Sequence, residues 1–284
     1  MKIFESQVLK DKAFEALKLL LLGAVAILFL YPFAFMIFKS FDEMANFGMK
    51  IPPKLWPEQL GLSNYISAMR TVRIQRYYFN TIYVSLWAVA IHLLTSVMAG
   101  YAISKGKFRF KSFWLLVILS TMMIPGEAIL LTRFLMFMDW GLVNTYTGLI
   151  LPTVAYPLGV FLSKQYIDGL PDSLGEAAKI DGANEWLIYF KIYMPLTGPI
   201  LATISILTIM QEWNSLMWPL LMLTKSPMYT ISLGIAFFSQ AEMERPVIGN
   251  ALAIATMAVF PVIIAFLFLQ RYIIQSIAVS GMKQ

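Results

Sequence analysis

Six stretches of this chain are long and apolar enough to cross a lipid bilayer, and no segment between them reads as a soluble domain. Crossing about 30 Å of hydrocarbon takes roughly 20 mostly apolar residues. Leu19–Phe38, Tyr77–Ser104, Trp140–Ser163 and Pro246–Gln270 carry no charge, Phe113–Thr132 carries only Glu127, and Pro199–Leu223 carries only Glu212. They predict spans at about 17–38, 78–104, 113–134, 141–163, 199–223 and 247–270. Only 13% of the 284 residues are charged, too few to coat a water-facing surface, since a soluble chain carries about a quarter.

Lipid leaves no backbone N–H or C=O a partner outside the protein, so spans are helices or closed barrels. A barrel shows short segments of alternating polarity. These long unbroken runs predict an all-α membrane protein, one domain over residues 1–284. The first run is longer than a signal-peptide core and no small-residue cleavage site follows it, so it reads as a retained span.

There is no cysteine, which excludes disulfides and thiolate chemistry, and His92 is the only histidine. His92 lies in an apolar run and is expected to bond a neighbouring helix rather than a metal. No carboxylate pair suggests shared catalysis, and an enzyme is not expected. The net charge of +6 is scattered over the connections, which fits topology signals and lipid headgroups rather than nucleic acid.

Six spans put both termini on one side. Lys105, Lys107, Arg109 and Lys111 form a basic connection without acids, and Lys2, Lys10, Lys12 and Lys18 precede the first span. With both termini inside, inner segments hold 13 of the 22 Lys and Arg residues; six of the outer nine lie between Lys39 and Arg76, against the rule. Pro32, Pro125-Gly126, Pro152, Pro157, Pro219 and Pro261 punctuate the runs. Such breaks suit helices that move and are also ordinary in membranes. The longest connections are Lys39–Arg76, Lys164–Pro195 and Thr224–Arg245.

The connection at 165–195 is unlike the others. Pro171 ends the preceding element, and Ser173 with Glu176 three residues on has capping-box spacing. A short helix is expected through Ala177, Ala178 and Ile180, stopped by Gly182 in the left-handed region. Asn184 can cap a second helix through Trp186, Leu187 and Phe190 that Pro195 breaks. The Ala177-Ala178 pair predicts a face small enough for another protein to approach.

This segment resembles the EAA motif of binding-protein-dependent ABC importers: Glu-Ala-Ala, three residues, Gly, nine residues, then Ile-x-Leu-Pro. Here Glu176-Ala177-Ala178 is followed by Gly182 and by Ile192-Tyr193-Met194-Pro195, with Met for Leu at 194. Other stretches are similar to the sugar-transporting branch, the maltose-type permeases of the second (MalG-like) kind. They include Asn64-Tyr65, Asn80-Thr81, Gly100-Tyr101-Ala102, Met123 to Glu127, Leu142 to Tyr146, Trp213 to Pro219 and Gln270-Arg271-Tyr272.

The resemblance implies a MetI-like type I ABC importer permease fold, six transmembrane helices with a cytoplasmic coupling helix. It places Glu176, Ala177, Ala178, Asp181, Gly182 and Pro195 at the contact with a separate ATPase. It further implies a multi-pass protein of a bacterial or archaeal cytoplasmic membrane with both termini inside. The implied partners are a second, similar permease, two ATP-binding subunits, an extracytoplasmic sugar-binding protein and membrane lipid. No cofactor is expected on this chain, because ATP and magnesium belong to the ATPase. Gly100 to Lys107 fails as a phosphate loop, with five residues between its glycines and Phe108 where the Ser or Thr belongs.

Glu127, Glu212, Trp213 and Asn214 are candidates for the translocation path. Intramembrane carboxylates either face a wet path or bond across helices. The aromatic residues, Trp218 included, suit either sugar rings or an interfacial belt. The expected cargo is a carbohydrate, most simply an oligosaccharide. A polyol, glycerol phosphate or other polar solute is the alternative cargo, and an ion-coupled carrier using Glu127 and Glu212 is the remote one.

Overall fold

The computed structural model describes residues 2–47, 54–241 and 247–281, so Pro246, where the last apolar run begins, lies outside it. Fourteen α-helices occur among the described residues: α1 Lys2–Ser40, α2 Ser63–Thr71, α3 Ile74–Lys105, α4 Lys111–Ser120, α5 Leu130–Asp139, α6 Tyr146–Ile150, α7 Pro157–Asp168, α8 Ser173–Ile180, α9 Glu185–Ile188, α10 Met194–Leu196, α11 Gly198–Asn214, α12 Met217–Met222, α13 Ile231–Ala241 and α14 Ile248–Gly281. No strand occurs among the described residues beyond one isolated bridge, Asp42 to Leu60. Helices satisfy their own backbone groups, as lipid requires.

Three helical stretches are each long and apolar enough to span alone: Phe14–Ser40, Ile74–Lys105 and Ile248–Leu267. Three more would be needed for six crossings, and each is a bent pair. Lys111–Met123 and Gly126–Asp139 meet at 84°. Ile124 precedes Pro125 and is extended (φ −86°, ψ 117°), the conformation a following proline imposes. Tyr146–Val154 and Pro157–Asp168 meet at 43°, with Tyr156 before Pro157 likewise out of the helical region. The spans expected at 113–134 and 141–163 are therefore bent pairs, with the breaks beside Pro125 and Pro157.

The fifth expected span, 199–223, needs a larger correction. α11 ends at Asn214, Ser215 is extended (ψ 122°), and α12 is separate. Pro219 has no N–H for the carbonyl of Ser215, four residues earlier, and the break falls there. Its other end turns by 76° against Glu185–Leu196. The connection expected at Thr224–Arg245 holds α13, whose 11 residues are too few to register as a span.

The chain divides into two compact units, one of residues 1–72 and 238–259, the other of 73–237 and 260–284. In the first, Leu19 to Leu22 and Ile27 to Leu30 of α1 are all exposed. An apolar surface of that extent is stable against lipid and a liability in water. At its end, Lys39 and Asp42 form a buried ion pair at 2.6 Å, with side chains 5% and 2% exposed. Asp42 also accepts from the Met44 and Gln59 N–H groups. Asn64 donates to the carbonyls of Ser40 and Asp42 and accepts from Asn46, which also donates to Asn250.

The larger unit is built on α3, α7 and α11. A methyl on Gly100 would meet Ser163 Cβ at 2.6 Å and the Lys164 nitrogen at 2.8 Å, so this glycine sets how closely α3 and α7 pack. His92 lies as expected: its Nδ1 is 2.7 Å from Thr208 Oγ1 on α11, and its ring stacks on Tyr156 at 4.0 Å.

Removing one partner of a buried ion pair strands the other charge at a cost of about 3–5 kcal/mol, whereas replacing both by apolar groups is far milder. Asp42→Asn should therefore markedly lower the thermal unfolding midpoint of the detergent-solubilised protein, and the Lys39→Met, Asp42→Leu double variant should recover most of it. Burial pushes the Asp42 carboxyl up, but the bonds from Lys39 and the backbone outweigh it and hold the pKa below its usual 3.8. A depressed carboxylate stabilises the fold above its unfolded value and loses that contribution as pH falls through the folded value. The pair should thus survive mild acid and release only below pH 3.8.

Candidate functional site

The 171–195 segment folds as an elbow whose two arms are α8 and α9. Ala178 packs inside a core with Val97, Ile167, Ile188, Tyr189, Tyr193, Ile200 and Ile204. Gly175 is buried too, and a methyl on it would stand 3.1 Å from the Tyr193 hydroxyl. The predicted Ala177-Ala178 face is therefore divided: Ala178 turns inward, while Glu176, Ala177 and Asp181 are exposed and Ile180 is 86% exposed. Spacing alone does not reveal the inward role of Gly175 and Tyr193.

The expected capping box does not form. The helix begins with Asp172 at the N-cap, no side chain bonds the first-turn N–H groups, and the Asp172 carbonyl accepts from Gly175 and Glu176. The Asp172 carboxylate instead takes a charge-assisted bond from Lys105 Nζ, which lowers its pKa. Glu176 is left free to line a polar cavity of about 220 Å³ between α8 and the end of α3.

The turn between the arms follows the sequence. Gly182 has φ +82°, its N–H bonds the Lys179 carbonyl, and the Ala183 N–H reaches back to Ala178, a Schellman pair. Asn184 caps α9 through a 2.8 Å bond from the Leu187 N–H. An ion pair from Lys179 to Glu185 closes the elbow. Beyond α9, residues Tyr189–Tyr193 widen into a π-helical turn. Pro195 does not end the helix there; α10 continues through Leu196 and the chain turns at Thr197. Wider π turns are a common way for a helix to absorb a lost or misplaced bond, and Pro195 cannot bond the Lys191 carbonyl.

The path candidates are not brought together. Glu127 is exposed at the 84° bend and, among the described residues, bonds none of the backbone groups there. Glu212 is half-buried and lines a small cavity with Thr81, Ser215, Trp218 and Thr230, from whose lining Glu127 is absent. The Thr230 hydroxyl is buried with no bonding partner among the described residues. Trp213 is buried, faces Tyr78 at 6.1 Å and accepts from Ser232 through its carbonyl. Asn214 is exposed and bonds its own helix at Met210. Trp218 is a core residue, its Nε1 donating to Gly148, with Phe137 edge-on and Arg133 over its ring at 4.2 Å. Packing buries both tryptophans.

The family described as binding-protein-dependent transport system inner membrane component matches residues 92–279, which includes the whole elbow. The chain belongs to this family. It is accordingly a multi-pass membrane transport subunit, a permease of the ABC importer type, and not an enzyme. The arabinooligosaccharides transport system permease protein AraQ of Halalkalibacterium halodurans is 38% identical over 231 residues, 80% of this chain and 81% of that one. The trehalose/maltose transport system permease protein MalG of Thermococcus litoralis is 31% identical over 277 residues, 95% and 98% of the two chains. The crystal structure of a bacterial ABC transporter involved in import of the acidic polysaccharide alginate superposes with a TM-score of 0.81 at 27% identity, covering 93% of this chain and 97% of that one. Members of this family work with an ATPase and a substrate-binding protein.

A methyl at a left-handed position costs about 1–2 kcal/mol, and losing an N-cap side chain about 1 kcal/mol. Gly182→Ala and Asn184→Ala should each speed amide exchange across residues 173–188 and leave exchange in α3 unchanged. Asn184→Asp, which keeps the cap, should behave as the parent.

Proposed function

We propose that this chain is a carbohydrate permease, most simply for an oligosaccharide, in an importer with one further, similar permease, two ATP-binding subunits and an extracytoplasmic sugar-binding protein. The reading rests on the elbow: within a matched family domain, it presents Glu176, Ala177, Ile180 and Asp181 to solvent on a helix anchored from behind. The names of its relatives support the cargo class.

In this reading both termini and the elbow face the cytoplasm. The exposed face of α8 seats in the ATPase, with Gly182 setting the angle of the second arm and Pro195 the path into α11. ATP and magnesium stay on the ATPase, and no cofactor binds this chain. Closure of the ATPase pair pushes the elbow, and the spans alternate between inward-open and outward-open states. Glu127, Glu212, Trp213 and Asn214 are assigned to the path in this reading. Glu212 is the strongest of them because it lines a small cavity with the Thr230 hydroxyl, which has no partner among the described residues.

Glu176→Lys and Gly182→Val should separate ATP hydrolysis from uptake by at least about fivefold, the low end of a site-to-site coupling free energy. Both variants should still insert. The measurement is uptake of labelled oligosaccharides into vesicles carrying the assembled complex, alongside ATP turnover. Uptake and ATP turnover both unchanged in assembled variants would sink the coupling role, and uptake of a polyol alone would replace the cargo.

A further inference from the structure

The last turn of α3 makes an unusual set of bonds to the elbow. Ser104 donates to Asp168 at 2.6 Å, Tyr101 donates to Glu185 at 3.1 Å, and Lys105 reaches between them. Lys105 Nζ donates to the Leu170 carbonyl at 2.7 Å and to the Asp172 carboxylate, and it lies 5.7 Å from the centre of the Tyr193 ring. Its side chain is only 11% exposed. One ammonium therefore holds the exit of α7, the start of α8 and the π-helical turn beyond α9.

We propose that Lys105 is the positioning residue that makes α3 follow the elbow, so that motion entering at α8 is delivered to the longest span of the larger unit. The proposal rests on the coupling role given to the elbow above. The apolar core also joins these elements, through Leu93, Val97, Met98 and Tyr101 of α3, with the Tyr101 ring 5.1 Å from Tyr189 and 5.2 Å from Tyr193. Hydrophobic attraction is non-directional, so such contacts hold the elements together more firmly than they fix their angle. The charged tie at the end of the helix, beside the Ser104 and Tyr101 bonds, fixes that angle and makes the joint rigid. The exposed tie from Lys179 to Glu185 joins the two arms to each other and cannot do this. Surface ion pairs are also weak, whereas Lys105 is largely withdrawn from solvent and bonds a carbonyl and a carboxylate at once. A topology signal alone would need no such burial, and Lys107, Arg109 and Lys111 already supply one.

The chain has no cysteine, so paired labels can be placed without background. Ser173→Cys on α8 and Phe79→Cys near the start of α3 carry spin labels, and the complex with its ATPase is measured with and without ATP and magnesium. With Lys105 present, the distance between the labels should not change on adding ATP. In Lys105→Met it should shift or split, and Lys105→Arg, which keeps the charge and the donors, should restore a single unchanged distance. An ATP-dependent change in the parent, or none in Lys105→Met, overturns the proposal. Should Lys105→Met fail to accumulate, Asp172→Asn takes its place at an exposed side chain, with a smaller shift expected and no shift overturning it. Co-purification of the ATPase with the parent, and the separation of ATP turnover from uptake in Glu176→Lys, check the coupling role separately. A failed joint with intact docking is thus distinguishable from a failed docking site.

Discussion

A proline in a bilayer leaves a carbonyl that no water can reach, and most of this structure's irregular features answer that constraint. The bends at Ile124, Tyr156 and Ser215 each free backbone groups, as does the connection after α12, where side chains from other elements take several of them. Asn144 accepts from the Thr224 and Lys225 N–H groups, and Asn80 donates to the carbonyls of Pro227 and Tyr229. Thr81 accepts from the Ile231 N–H, and Trp218 donates to Gly148. Tyr146 completes the set by donating to Asn80. Asn80, Thr81 and Asn144 are thus staples for the chain between α12 and α13.

This explains why some of the architecture was legible and some was not. Length and hydropathy locate spans because the bilayer sets a minimum helix length. They do not locate bends, because a proline's effect depends on whether a neighbour can take the freed group. The residue that stitches the chain just after α12 is Asn144, 80 positions before its partner Thr224, and no local pattern announces it. Trp213 and Trp218 illustrate the same limit. Their composition fits a sugar platform or a belt, but both are buried by partners on other helices.

At the elbow, what was legible is what is local. The stop at Gly182 and the cap at Asn184 depend only on backbone conformation and a side-chain oxygen two or three residues from its donor. The capping box has the right spacing and does not form, because the N-cap is Asp172 and Ser173 is already the first helical residue, while a lysine 67 residues earlier keeps the Asp172 carboxylate from capping in its place. A charged donor outbids the neutral N–H groups of a first turn. The direction of Ala178 is hidden for the complementary reason: the motif names two alanines, and only the tertiary core says which one faces in.

These two non-local facts belong together. A short helix that only docked a partner could lie loosely on the surface, with both alanines outward. One that must pass on a displacement needs its back fixed, because force applied to a loose element is lost in its own motion. Gly175 and Ala178 let Tyr193 and the core close against the back of α8, which leaves one outward stripe for recognition. The small residues here serve transmission inward as much as approach from outside. The side of α8 that bears no motif residue but Ala178 is the side that makes the motif mechanically useful.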